Sequence, residues 1–149
     1  MDTMSLKPVL FKINFIERYK KLRLTHQSKK RLRDYEKENV NSILKGLGYN
    51  SKFIRNGEFF MILEKEANYS FQYNICLKGG IVELILDVQY QGKRLEPVGP
   101  FDLICRNLEV PDKIFLASFA DYEELREVLT EAINIFKDIK QETLLMEVK

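Results

Sequence analysis

The spacing of apolar residues along the chain changes from helical to alternating and back to helical. Near the N-terminus it is three residues, which is typical of one face of an α-helix. The residues with this spacing are Leu10, Ile13, Ile16 and Tyr19. Pro8 stands where a first helical turn tolerates proline. We therefore predict a helix from Leu10 to Leu24, although the alternation of residues 9–16 leaves a short strand as the alternative.

A second helical stripe follows the polar sequence Thr25–Ser28. Its members are Leu32, Tyr35, Val40, Ile43, Leu44 and Leu47. Gly46 and Gly48 are placed to end this helix, because glycine readily adopts the left-handed conformation found at helix C-termini. The pattern leaves open whether residues 25–28 separate two helices or form the exposed midpoint of one.

Beyond residue 49 the apolar period becomes two, as in β-strands. Asn56-Gly57 lies between apolar runs, which is a strong hairpin signal because both residues tolerate positive φ. We expect Arg55 to face Glu58 across this turn.

A second hairpin turns at residues 78–81 and is defined more closely. If Leu77 lies opposite Val82, the large apolar residues all fall on one face, and a slip of one residue destroys the agreement. The apolar pairs are Ile75–Leu84, Tyr73–Leu86, Phe71–Val88 and Tyr69–Tyr90. The pairs on the other face are Cys76–Glu83, Asn74–Ile85, Gln72–Asp87 and Ser70–Gln89. One sheet face is therefore predicted to be buried and the other to meet water.

The C-terminal part is predicted to contain a last strand and a long helix. The strand is placed at Phe101–Leu108, with Phe101, Leu103 and Cys105 on one side. The other segments are a turn at residues 91–93, a loop at 97–100 and a connection at 112–120. The helix begins after Asp121, whose side chain is a suitable N-cap with Glu124 three residues later, and runs to about Thr143.

Together these elements predict an α+β domain with an N-terminal helical segment, an antiparallel meander of four to five strands and a C-terminal helix. Each element has one apolar face, which must be buried against another element. We expect the C-terminal helix to pack on one sheet face and the other face to stay open. The 149 residues, 45% hydrophobic and 31% charged, suit a single globular domain over residues 1–149.

Charge and apolar length restrict the partners. Residues 1–45 carry twelve Lys or Arg against five acids, and the remainder carries twelve against seventeen, an asymmetry that favours charged partners. The N-terminal apolar stretch is too short to cross a bilayer, and no secretory signal follows the first residues. We expect a cytoplasmic protein with no membrane partner, in which Cys76 and Cys105 are reduced thiols.

Few side chains suggest catalysis. His26 is the single histidine, and its polar neighbours predict a solvated ring without the partners of a triad or metal site. Glu83 and Asp87 would lie about 13 Å apart along one strand, too far for the carboxylate pair of a glycosidase. The glycine clusters are placed as turns rather than as phosphate loops. We therefore predict no enzyme activity, no metal and no cofactor.

Acidic side chains form a candidate docking surface for a basic protein. They come from one face of the second hairpin and from the polar edge of the C-terminal helix, where a merely solvated face is the common alternative. The candidate partner-binding residues are Glu83, Asp87, Glu123, Glu124, Glu127 and Glu131.

The stretch from Tyr19 to Lys37 is strongly basic. If it is helical, Lys30, Arg33 and Lys37 form one stripe that could bind nucleic-acid phosphates. Three interleaved acids weigh against that function, namely Asp34, Glu36 and Glu38. A solvated helix face and contact with an acidic protein remain the other interpretations.

The tail from Pro97, PVGPFDLICRNL and then FLASFADYEELREVLTEAINIFKDIKQE, resembles the C-terminal half of some small bacterial immunity proteins. The shared features are an aromatic strand after Gly-Pro, a short loop and a capped acidic helix, over about one third of the chain. Such proteins neutralise a cognate secreted toxin. The resemblance implies a non-catalytic inhibitor that occludes its partner, such as a basic toxin domain, and it implies no particular inhibitory residues. Nucleic-acid binding by the basic segment, which lies outside the resemblance, is the alternative function.

Overall fold

The computed structural model describes residues 5–108 and 113–146 as an α+β domain. Its helices are α1 (Lys7–Lys12), α2 (Phe15–Thr25), α3 (Lys37–Gly46), α4 (Phe101–Asn107) and α5 (Tyr122–Leu144). Its strands are β1 (Lys52–Ile54), β2 (Phe59–Glu66), β3 (Tyr69–Cys76), β4 (Glu83–Tyr90), β5 (Lys93–Arg94) and β6 (Gly99–Pro100). The predicted class, with helices first, an antiparallel sheet and a C-terminal helix, is confirmed.

The strands form one antiparallel sheet in the order β1-β2-β3-β4-β5, and β6 also pairs with β4. All eight predicted pairs between β3 and β4 are present, from Tyr69 with Tyr90 to Cys76 with Glu83. A short 3₁₀ turn at Lys78–Gly80 connects the two strands. The hairpin register is therefore confirmed residue by residue.

The Asn56-Gly57 hairpin is also confirmed, but its turn differs in detail. Ile54 pairs with Phe59, so the connection has four residues rather than two. Positive φ occurs at Gly57 and Glu58, not at Asn56. The Glu58 amide donates to the Arg55 carbonyl at 3.3 Å, which places these two residues across the turn as predicted.

Helix α5 covers the apolar sheet face and completes the core. The Phe136 ring stacks on Tyr73 with 4.7 Å between ring centroids, and the Tyr73 hydroxyl donates to the Ala132 carbonyl at 3.1 Å. Complete burial raises the pKa of Tyr73 well above its ordinary value. Asp121 caps the helix by accepting a 2.8 Å hydrogen bond from the Glu124 amide, as predicted.

The N-terminal segment is helical, so the strand alternative is wrong. It forms two helices rather than one, because Asn14 adopts a left-handed conformation with φ of 60° between them. Helix α2 ends at Thr25, which shows that residues 25–28 separate the two apolar stripes. The second predicted helix is shorter than its stripe, since Leu32 lies in an irregular segment before α3.

The predicted strand at Phe101–Leu108 is wrong, because these residues form helix α4 and its C-cap. The side chains of Phe101, Ile104, Cys105 and Leu108 are buried. Their spacing is helical, whereas Leu103, which suggested alternation, is 45% exposed. Phe101 lies among aromatic rings, with centroids 4.9 Å from Phe15 and 5.7 Å from Tyr73. The connection that follows is irregular at residues 113–120, and Asp112 lies outside the described residues.

Candidate functional site

The sheet face opposite α5 is open. On this face no side chain of β2, β3 or β4 is fully buried. On the covered face, the side chains of β3 and β4 are all buried except that of Tyr90. An antiparallel sheet commonly has one packed and one solvated face. This arrangement agrees with the predicted division into a dry and a wet face.

The open face is not uniformly polar, because five apolar side chains lie on it, one on β1, three on β2 and one on β4. This apolar patch consists of Ile54, Phe59, Met61, Leu63 and Ile85. Ile54 pairs with Phe59, and Asn74 lies between Met61 and Ile85 in the register. Leu63 is the most accessible member, at 45% exposure. The sequence analysis missed this patch, although the run Phe59–Leu63, apolar on both strand faces, was its signal.

Glu83 and Asp87 lie beside the apolar patch on β4. Asp87 is already engaged, since Arg94 Nε lies 3.3 Å from its Oδ1 and Gln89 donates to its Oδ2 at 3.0 Å. The side chain of Glu83 forms no hydrogen bond or ion pair with any residue of the described ranges. Of these two predicted docking carboxylates, Glu83 is the one available to a partner.

The acids of α5 lie on the other side of the sheet. Glu131 accepts from Arg18 Nε at 2.9 Å, and the same guanidinium reaches Asp138 at 2.7 Å. The side chains of Glu123 and Glu127 are exposed. The six predicted partner-binding residues therefore do not form one surface.

Glu124 is the centre of a hydrogen-bond cluster between the N-terminal segment and α5. It accepts from the Ser28 hydroxyl at 2.6 Å and the Ala120 amide at 2.8 Å, and lies 3.0 Å from His26 Nδ1. Partial burial alone would raise the pKa of Glu124, but the hydrogen bonds from Ser28, His26 and Ala120 outweigh it and lower that pKa. This carboxylate stabilises the fold.

His26 is buried at 6% exposure, so the predicted solvated ring is wrong. The His26 carbonyl accepts a hydrogen bond from the Ser118 amide at 2.9 Å. Two residues further along, the Ser28 amide donates to the Ser118 hydroxyl at 2.7 Å. This pairing draws His26 against the start of α5. Because the Ser28 hydroxyl is bonded to Glu124 rather than to His26, the cluster lacks the nucleophile-to-base hydrogen bond of a catalytic triad.

The predicted basic helix stripe is wrong. Lys30 and Arg33 lie in the irregular segment of residues 28–36, here called the strap, and only Lys37 is helical, at the start of α3. The Leu32 amide donates to the Phe119 carbonyl at 2.8 Å. This bond holds the strap against the connection before α5 and turns Leu32 inward without a helix.

The cations of the strap point outward. Lys29, Lys30, Arg31 and Arg33 are exposed, as is Lys37. No acidic oxygen of the described residues lies within 4.0 Å of their charged nitrogens. In this they differ from Lys12 and Arg18 of the preceding helices, which are paired with acids of α5.

Arg33 and Lys37 meet Arg55 of the β1–β2 turn around a concavity of about 340 Å³. Its remaining lining is Asp34, Tyr35, Phe53 and Glu58. Lys37 Nζ lies 4.2 Å from the centre of the Phe53 ring, a favourable cation–π distance. Burial, and then the nearby carboxylate of Glu58, raise the pKa of Tyr35. We call this group the cationic concavity.

Compared with family models, curated proteins and solved structures, the chain matches none. The resemblance of its tail to immunity proteins therefore stays a prediction. Within residues 5–108 and 113–146, no three His, Cys, Asp or Glu side chains are grouped so as to hold a metal ion. No helix in that part of the chain has both the length and the apolar character needed to cross a membrane.

Proposed function

We propose that this chain is a non-catalytic protein-binding module that blocks a cognate toxin by covering part of its surface. The observation that carries the proposal is the apolar patch on the open sheet face. Leu63 is exposed and the other four members are half-buried, and apolar side chains grouped on an open face are typical of protein-binding sites. The capped acidic helix that the tail shares with immunity proteins supports the same function, although the residues expected to form their aromatic strand form helix α4.

The free carboxylate beside the patch supports a basic partner. Glu83 pairs with Cys76, and Cys76 pairs with Phe59 on the next strand. The backbones of Glu83 and Phe59 are therefore about 10 Å apart at the usual strand spacing. A partner with an apolar side chain seated near Phe59 could therefore place a Lys or Arg against Glu83. Charges at the rim steer association and select partners, whereas central apolar anchors supply most of the affinity. The occupant is accordingly a basic toxin domain with a protruding apolar side chain.

We assign the contact to the patch with Glu83, since Asp87 is held by Arg94 and Gln89, and not to the acidic edge of α5. Glu124 and Glu131 are bonded within the molecule, to Ser28 and Arg18 among others. Glu127 is exposed but lies on the helical side of the sheet. A partner seated on the open face would not reach it.

The proposal requires that a reading frame beside this one encodes a toxin-like protein, and its absence would refute the toxin-inhibitor function. The test is co-expression with that protein, followed by calorimetry on the purified pair. Leu63→Asp places a charge within the apolar patch, and Glu83→Lys reverses the free carboxylate. Leu63→Asp should weaken binding by at least about tenfold and abolish growth protection, because it acts in the apolar centre of the interface. Glu83→Lys should also weaken binding, because it repels a basic partner.

Matched controls carry the same changes elsewhere. Leu24→Asp alters an apolar residue of α2 that is 57% exposed, and Glu127→Lys reverses an exposed acid of α5. Both should retain binding and protection. Loss of binding in the controls alone would move the interface to the helical side, and a neighbouring protein that does not bind the wild-type chain would refute the toxin-inhibitor function.

A further inference from the structure

We propose that the cationic concavity binds a nucleotide unit, with its phosphate against Arg33, Lys37 and Arg55 and its base against Tyr35. The concavity shares no lining residue with the apolar patch, although Arg55 and Glu58 adjoin Ile54 and Phe59 of the patch in one hairpin. Its proposed ligand does not depend on toxin inhibition. The ligand can be a free mononucleotide or an unpaired nucleotide within a single strand, since both present the same phosphate and base.

Three different elements bring the cations together. Arg33 comes from the strap, Lys37 from the first turn of α3, and Arg55 from the β1–β2 turn. The backbone is fixed on two of these sides. The Glu36 amide donates to the Tyr122 hydroxyl at 2.8 Å, and the Glu58 amide donates to the Arg55 carbonyl at 3.3 Å. The cations are thus presented by anchored segments.

The charge count of the concavity suits one phosphate. None of its three cations is within 4.0 Å of an acidic oxygen of the described residues, although Asp34 and Glu58 also line it. Three cations and two acids leave a single net positive charge, which favours a monophosphate or phosphodiester over a polyphosphate. The planar fork of an arginine matches two phosphate oxygens, and a lysine adds a point charge.

The aromatic residues of the concavity provide a surface on which a nucleotide base can stack. Phe53 holds Lys37 above its face, and its own ring packs 4.9 Å from Phe60. Tyr35 packs 5.9 Å from Phe60 and is half-buried, so it can offer a held ring to a base. The concavity of about 340 Å³ lies within the range of small-ligand sites, roughly 300–1,000 Å³. A duplex would not fit this role, because its base faces are already stacked.

Binding of AMP, inorganic phosphate and a short unstructured single-stranded RNA to the full chain tests the proposal. AMP should bind, and raising the salt from about 50 to about 200 mM should weaken its binding, because salt screens the attraction between the phosphate and exposed cations. Changing Arg33, Lys37 and Arg55 together to Gln should weaken AMP and RNA at least about tenfold. Tyr35→Leu should weaken AMP while leaving inorganic phosphate unchanged, which separates loss of stacking from loss of charge.

A matched triple variant changes Lys7, Lys20 and Lys45, which are exposed cations outside the concavity, to Gln. It should bind AMP like the wild type. RNA that binds no tighter than AMP would identify a free nucleotide as the ligand, whereas tighter RNA binding that AMP competes away would identify a single strand. The proposal is overturned if AMP and RNA both fail to bind, if the two triple variants lose binding equally, or if duplex RNA or a polyglutamate peptide competes as well as AMP.

Discussion

The two parts of the basic N-terminal region differ in what their cations contact. In α1 and α2, Lys12, Arg18 and Arg23 are each within 4.0 Å of an acid in α4 or α5. In the strap, four Lys or Arg side chains face outward without such a partner among the described residues. Three of the twelve N-terminal cations are therefore used inside the fold. The strap presents four exposed cations close together in the chain, where they can attract an anion from outside.

The largest effect should follow from removing Arg23, which is only 1% exposed. Its guanidinium lies 4.1 Å from the centre of the Tyr19 ring and 3.7 Å from Asp102, and it donates to the Ile114 carbonyl at 3.5 Å. Arg23→Ala leaves a cavity and buried acceptors, so we expect a loss of about 3 kcal/mol in unfolding free energy. Urea denaturation measures it, with the exposed Lys20→Ala as control. A loss no larger than that of Lys20→Ala would contradict the role given to Arg23.

A smaller loss, about 1.5 kcal/mol at neutral pH, is expected for Glu124→Gln. The folded-state pKa of Glu124 is lowered, so its contribution is complete above the ordinary pKa of a glutamate and disappears as the pH falls through the folded value. Urea denaturation at neutral and acid pH should show the wild type and variant converging in acid. A difference that stays constant with pH would mean that the charge of Glu124 does not contribute.

Arg18 should contribute less, because its side chain is 24% exposed and solvent screens its ion pairs. We expect Arg18→Gln to cost about 1 kcal/mol, with part of this lost at high salt. A double-mutant cycle with Asp138→Asn measures the pair directly. A coupling energy of zero at low salt would show that the 2.7 Å contact with Asp138 does not stabilise the fold.

The smallest effect on stability is expected in the strap. Changing Lys29, Lys30 and Arg31 together to Gln should alter the unfolding free energy by no more than about 0.5 kcal/mol, since exposed cations without partners contribute little. Thermal unfolding at low salt checks this. A loss as large as that of Arg18→Gln would mean that the strap cations also stabilise the fold, and the contrast between the two regions would disappear.

The parts of the fold that depend on neighbouring residues could be predicted from the sequence. The β3–β4 register follows from apolar alternation on both sides of a tight turn, and Asp121 is recognised as a cap from residues within one helical turn. Helix α4 could not be assigned as easily, because its apolar residues fit both the helical period and the two-residue period of a strand. Only the exposure of Leu103 in the structure decides for the helix.

The candidate sites depend on contacts between distant segments, which no local pattern shows. The buried His26 ring lies 3.0 Å from Glu124, which is 98 residues away. Leu32 and Tyr35 have helical spacing, yet they turn inward from an irregular strap that is bonded to Phe119. The cationic concavity combines Arg33 and Lys37 with Arg55 from a separate hairpin, and nothing in the sequence links these positions.

The pairing of α2 with α5 has a consequence for the order of folding. Arg18 contacts residues 113 and 120 positions further along the chain, whereas the hairpins of the sheet close over short turns. Closing a long loop costs more conformational entropy and slows folding. We expect the hairpins and α5 to assemble first and the N-terminal helices to dock last. Amide hydrogens of α1 and α2 should then exchange with solvent before those of β3 and β4.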